Sequence, residues 1–217
     1  MGLYKLTAFL AGFVACGGFT TAADAGTFTY DGYGFSGENV HISDTGLGVN
    51  NEYGGAGLIS LNGSSTIAAY CVDIADWLLR SGTYNTAVNP ASDPNLAGIS
   101  SVTGHSKIAD IGALIYNGTN AAAVQLAIWE TEYGAAVTIT PDDSGLQAVA
   151  NAYFADLNTG WTLPKGLSLD ELTPAHGQTN QRLVYLAPVP EPASMAILGS
   201  AIIGLGYLRM RFQGRSR

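Results

Sequence analysis

Ala123-Val124-Gln125-Leu126-Ala127-Ile128-Trp129 is an apolar run interrupted once, by a glutamine, and its reading decides how the middle of the chain folds. Alanine and leucine favour helix, Asn120 is a good N-cap, and Gly134 is a stop, so the segment predicts a helix from Asn120 to about Tyr133. Ile128 and Trp129 lie at i+3 and i+4 from Gln125, which sets its amide beside the face that turns inward. Burying an unpaired amide costs about 1–3 kcal/mol. Gln125 must therefore find hydrogen-bond partners or be chemically changed.

Helical spacing extends over residues 105–157. Ile108, Ile111 and Ile115 form one stripe that Gly118 can close. A third helix is expected to open at Thr140-Pro141-Asp142-Asp143, with proline in the first turn and acids near the positive end of the dipole. Its stripe is Leu146, Val149, Tyr153, Phe154 and Leu157. Residues 26–88 read instead as short antiparallel strands, among them Thr27-Phe28-Thr29-Tyr30, Leu58-Ile59-Ser60-Leu61 and Ala68-Ala69-Tyr70-Cys71-Val72, with turn signals at Asn62-Gly63 and Ser81-Gly82. Strand character returns over 161–187, in Trp161-Thr162-Leu163 and Arg182-Leu183-Val184-Tyr185-Leu186. The fold class expected is α+β, with helices inserted between two groups of strands.

The ends have their own logic. Residues 1–25 have the layout of a secretory signal peptide: Lys5, an apolar stretch, and Ala23-Asp24-Ala25 as a small-x-small cleavage site. Cys16 would be discarded with it; the alternative, Val14-Ala15-Cys16 as a lipobox, has Phe13 in a poor first position. At the other end Val189-Pro190-Glu191-Pro192 precedes an almost uncharged run, 193–208, and a basic tail with Arg209, Arg211, Arg215 and Arg217. At about 1.5 Å per residue the run is just short of a bilayer core, so it would cross as a transmembrane helix with help from its flanks. The arginines put the C-terminus in the cytoplasm.

The remaining 26–188 is one domain's worth of chain. The formal net charge of the whole sequence is -8, and the middle is more acidic still, because so many arginines sit in the tail. Nucleic acid is excluded as a partner on that ground. No metal site is expected, since Asp93, Asp142 and Asp143 lack the spacing of a calcium loop and the histidines are scattered. No cofactor is implied.

Once the signal is removed, Cys71 is the one cysteine left, unpaired in an exported chain. A thiol attacking a glutamine carbonyl with loss of ammonia gives a thioester. Amides are poor electrophiles, so the reaction needs fixed geometry, a proton donor for the leaving nitrogen, and little water. Asp73 and His105 are candidates for proton handling; the blander reading makes Asp73 a turn cap and His105 a solvated side chain.

The residues around the pair carry a resemblance. Tyr70-Cys71-Val72 and Val124-Gln125-x-Ala127-Ile128-Trp129 resemble the signatures of the thioester domains of bacterial surface adhesins. The resemblance implies a β-rich, sandwich-like domain with an inserted helical subdomain, Cys71 as thioester sulfur, Gln125 as acyl donor, Tyr70 and Trp129 as flanking residues, and covalent capture of an amine-bearing protein or polysaccharide. The chemistry would be single-use, not enzymatic. Residues 189–217 resemble the PEP-CTERM sorting signal, which implies recognition by an exosortase at Val189, Pro190, Glu191, Pro192, Arg209 and Arg211, transient anchoring in the inner membrane, and delivery to the cell surface. The contiguous Gly-Cys-Gly-Glu-Gln motif of complement-type thioester proteins is absent.

Two other functions compete. In a structural or carbohydrate-binding matrix domain, Cys71 is an inert thiol, Gln125 a satisfied amide, and Tyr30, Tyr33, Tyr53 and Tyr84 stack on sugars. In a cysteine hydrolase, Cys71 is the nucleophile and His105 or His176 the base, but the strand-like setting of Cys71 offers nothing to stabilise a thiolate.

Overall fold

The computed structural model describes residues 28–30, 36–44, 46, 48–61, 67–74, 76, 82–84, 89–175 and 180–189. The expected signal peptide, the 193–208 span, Tyr33, His176 and most of the sorting signal lie outside these residues. No helix among the described residues is long and apolar enough to cross a membrane.

The strands are β1 (Phe28–Tyr30), β2 (Ser36–Asp44), β3 (Val49–Leu61), β4 (Ile67–Cys71), β5 (Gly82–Tyr84), β6 (Val137–Pro141), β7 (Leu167–Leu172) and β8 (Leu183–Pro188). The helices are α1 (Lys107–Asn117), α2 (Ala121–Tyr133) and α3 (Leu146–Thr159). Six strands form one antiparallel sheet in the order β6-β2-β3-β4-β8-β7, and β1 pairs with β5 in a separate ribbon. The α+β class holds; among the described residues the large sheet is packed by helices, with α2 against β3 and β2 and α1 against β7 and β8, and β1 of the ribbon also touches β3.

Helix α2 is the centre of the molecule. Residues from Ala122 through Trp129 are all buried, so no face remains for solvent. Its alanines let β3, α1 and α3 approach from different sides, and a helix apolar all round belongs in a core. The Asn120 side chain caps it, accepting from the Ala123 N–H at 3.1 Å, and it stops at Gly134, where φ is +60° and a Cβ would lie 2.1 Å from Ser101 Oγ. Gly118 ends α1 for a different reason. Its φ is -69°, open to any residue, but a Cβ there would strike Val124 Cγ2 at 2.2 Å, so the tight α1–α2 turn requires its absence.

Two expected elements are corrected. Pro141 does not open a helix; it ends β6. Val137 and Ile139 are buried while Thr138 and Thr140 are exposed, a period-two pattern of β-branched residues. β6 pairs only with β2, and a sheet edge tolerates a residue without an N–H. Asp143 accepts from the Gly145 N–H instead, at 2.8 Å, and α3 begins at Leu146. Nor is Trp161-Thr162-Leu163 a strand. Trp161 packs its ring 5.1 Å from that of Tyr153, and the strand starts later, at Leu167.

Candidate functional site

β3 is shared between two partners along its length. It pairs with β4 through Leu61↔Ile67 to Ile59↔Ala69, and then, from Leu58 back to Val49, only with β2. The sheet thus opens beside the last residue of β4, Cys71. In an antiparallel ladder, successive residues point their backbone groups to opposite neighbours. Cys71 lies opposite Leu183, and Val72 N–H bonds to Arg182 O at 3.1 Å, so the N–H and C=O of Cys71 face the side that β3 has left.

Gln125 of α2 fills this place. Cys71 N–H donates to Gln125 Oε1 at 2.9 Å, and Gln125 Nε2 donates to Cys71 O at 2.7 Å. The side-chain amide reproduces the two bonds that a neighbouring strand would make, and both residues are buried. A second tether comes from the same helix: Tyr133 hydroxyl donates to Val72 O at 3.1 Å. The fold thus brings Cys71 and Gln125 into contact.

This arrangement has chemical content. The carbonyl of Gln125 already receives a hydrogen bond from the backbone of the residue that carries the thiol. A donor aimed at a carbonyl oxygen stabilises the negative charge that develops there when a nucleophile adds. Burial, and secondarily the charge of Asp73, pushes the Cys71 thiol well above its ordinary range, so the sulfur is held as S–H and could add to a carbonyl only with a base to take its proton. That environment is the opposite of the one that activates a hydrolase cysteine.

Asp73 is half-buried beyond Cys71, and Arg182 Nε lies 3.3 Å from its Oδ2. The same guanidinium bonds Asp93 through Nη1 and lies 3.5 Å from Glu171 Oε1. Glu132 also belongs to this group: burial, partly opposed by Arg182 and reinforced by Asp93, raises it well above the usual carboxylate range. Glu171 is pushed up to about 7, first by burial and then by Asp93. Of these residues the sequence expectation names only Asp73 as a site residue, and Asp93 only as an unsuitable calcium ligand; four acids far apart in the chain converge on one guanidinium.

The other expected residues fall as follows. His105 sits at the start of α1 with Nδ1 3.4 Å from buried Asp110, which Thr103 also engages. Tyr70 is buried and its hydroxyl is raised to about 12, by burial and then by Tyr153. Trp129 is a core residue. Of the proposed sugar platform, Tyr84 is fully buried and so offers no face to a ligand, while Tyr53 is 53 % exposed and packs edge-on to His41; the side chain of Tyr30 is outside the description. Among the described residues no group of His, Cys, Asp and Glu could hold a metal ion.

Residues 188–211 match the PEP-CTERM protein-sorting motif. Solved structures similar to this chain include the N-terminal domain of the Streptococcus pyogenes pilus tip adhesin Cpa, at 15% identity over 70% of this chain and 95% of that one, with a TM-score of 0.43. The N-terminal thioester domain of a surface protein from Clostridium perfringens is 14% identical over 71% of this chain and 100% of its own, with a TM-score of 0.43. A cysteine-to-alanine mutant of that thioester domain gives 13%, 70%, 99% and 0.44. No curated protein matches the chain.

Proposed function

We propose that this chain is an exported surface module that closes an internal Cys71–Gln125 thioester and uses it once, to acylate an amine on a protein or polysaccharide target. The observation that carries the reading is the double hydrogen bond between the Gln125 amide and the Cys71 backbone. It fixes the electrophile against the residue that bears the nucleophile, inside a water-poor core, which is what a poor electrophile requires.

In the closing step Sγ adds to Cδ of Gln125, the S–H proton passes to Asp73, and a proton is returned to the leaving nitrogen as the C–N bond breaks and ammonia departs. In the capture step a target amine adds to the same carbon, the C–S bond breaks, and the sulfur recovers a proton as Cys71 thiol. An amide then joins target to Gln125, with no turnover. The match to the sorting motif supports export to the cell surface, with exosortase processing at the tail and a transient stay in the inner membrane.

A second reading draws on the same bonds. An amide with both ends satisfied is stable as it is, and the domain would then be a non-covalent structural or carbohydrate-binding module of the matrix. Intact mass of the purified chain, before and after methylamine, separates the two. The thioester form lacks the mass of one ammonia and gains methylamine; an unreacted Cys71 and full mass would leave the structural reading standing.

A further inference from the structure

Arg182 touches the strand end that carries Cys71 in two ways. Its carbonyl takes the N–H of Val72, and its Nε meets Asp73 at 3.3 Å. Its Nη1 holds Asp93, in the turn that follows Pro90, and faces Glu171 of β7. The residues flanking Cys71 on its C-terminal side are therefore fixed, in backbone and in side chain, by one arginine that is itself anchored to two other parts of the fold.

Several titratable groups face it among the described residues: Asp73 and Asp76 from the segment that follows β4, Asp93 from the turn before α1, Glu132 and Tyr133 from α2, and Glu171 from β7, while a second cation, Lys107, donates through Nζ to the Glu132 carbonyl at 2.7 Å. Neither carboxylate oxygen of Glu132 has a hydrogen-bond partner among the described residues. An arginine in such a setting does more than pair one acid. Through Nη1 it holds Asp93 and through Nε it holds Asp73, so the Asp73 carboxylate is tied to the turn that carries Asp93.

We propose that Arg182 is the positioning residue for thioester closure: through Nε it orients the Asp73 carboxylate, two residues from Cys71, to take the thiol proton. The role rests on the thioester reading above. Asp73 receives the S–H proton as the C–S bond forms and gives it up to the departing nitrogen, so the acid ends as it began and ammonia carries the proton away. Arg182 touches neither reacting atom.

The test uses the full chain made by cell-free synthesis, with intact mass followed over time across the neutral pH range. Wild type loses one ammonia. Arg182→Met folds to the same circular dichroism spectrum but closes at least about tenfold more slowly, a fraction of what general base catalysis supplies. Its pH profile changes as well, because the guanidinium no longer fixes Asp73. Arg182→Lys keeps the charge without the fork and recovers part of the rate. A purely structural arginine would lower thermal stability and leave the profile in place. Closure of Arg182→Met at the wild-type rate with an unchanged profile overturns the positioning role alone. Should Arg182→Met not fold, Arg182→Lys decides: wild-type rate and profile there overturn the proposal. Wild type that retains its full mass overturns the thioester reading, and this role with it.

Discussion

Gln125 satisfies both backbone groups of Cys71 with a single side chain, accepting at 2.9 Å and donating at 2.7 Å. The glutamine stands where a strand would stand. It is thus structural whether or not it reacts, and this separates the consequences of changing the two residues.

Cys71→Ala keeps the backbone bonds to Gln125 and removes only a buried sulfur. The variant is expected to fold, with a loss of no more than a few kcal/mol, and to show neither ammonia loss nor labelling by methylamine. Gln125→Ala abolishes the same chemistry but also leaves a buried N–H and C=O without partners, at about 1–3 kcal/mol for each. Urea denaturation should therefore rank Gln125→Ala well below Cys71→Ala. Equal midpoints would mean that water or a moved strand replaces the amide.

Tyr133→Phe tests the second tether. The hydroxyl donates to Val72 O and has no part in the bond changes, so its loss should cost about 1 kcal/mol and leave ammonia loss intact. Urea midpoints and intact mass measure the two effects. A variant as stable as wild type would show that the tether contributes nothing.

The Cys71–Gln125 contact and the central helix were legible because each breaks a local expectation or ends on a strong signal. One cysteine after residue 25 and one glutamine in an apolar run are chemically conspicuous, and Asn120 and Gly134 bracket α2 by capping chemistry. β6 escapes the sequence reading because Pro141 serves a helix start and an edge-strand end equally well, and the four alternating residues Val137-Thr138-Ile139-Thr140 are a weak signal beside it. The Arg182 cluster could not be read at all. Positions 73, 93, 132, 171 and 182 meet only after the sheet is assembled, and nothing local marks Glu132 or Glu171 as buried. Tyr84 illustrates the same limit: a tyrosine on a short strand is a binding surface or a core residue according to what covers it.

Asn120→Ala removes the cap of α2 and should lower stability by about 1 kcal/mol. Because α2 carries both Gln125 and Tyr133, fraying at its first turn should also slow thioester closure. Thermal melting and the rate of ammonia loss report the two effects, and a melting point unchanged from wild type would show that neighbouring contacts, not the cap, hold the turn.

Glu171 gives the fold a pH dependence whose sign follows from its environment. Burial, reinforced by Asp93, raises its folded-state pKa to about 7, above the ordinary value near 4.5. The folded protein therefore binds a proton more tightly than the unfolded chain does, and the associated stability is complete below the unfolded pKa and is lost as pH rises through about 7. Glu132, raised by burial in the same cluster, acts in the same direction. Wild type should accordingly melt at a lower temperature in mildly alkaline buffer than in mildly acidic buffer. Glu171→Gln carries no titrating proton while Arg182 keeps Asp73 and Asp93, so its melting point should fall less over the same interval. Melting curves of both proteins across that range make the comparison, and a slope as steep in Glu171→Gln as in wild type would assign the pH dependence to other groups.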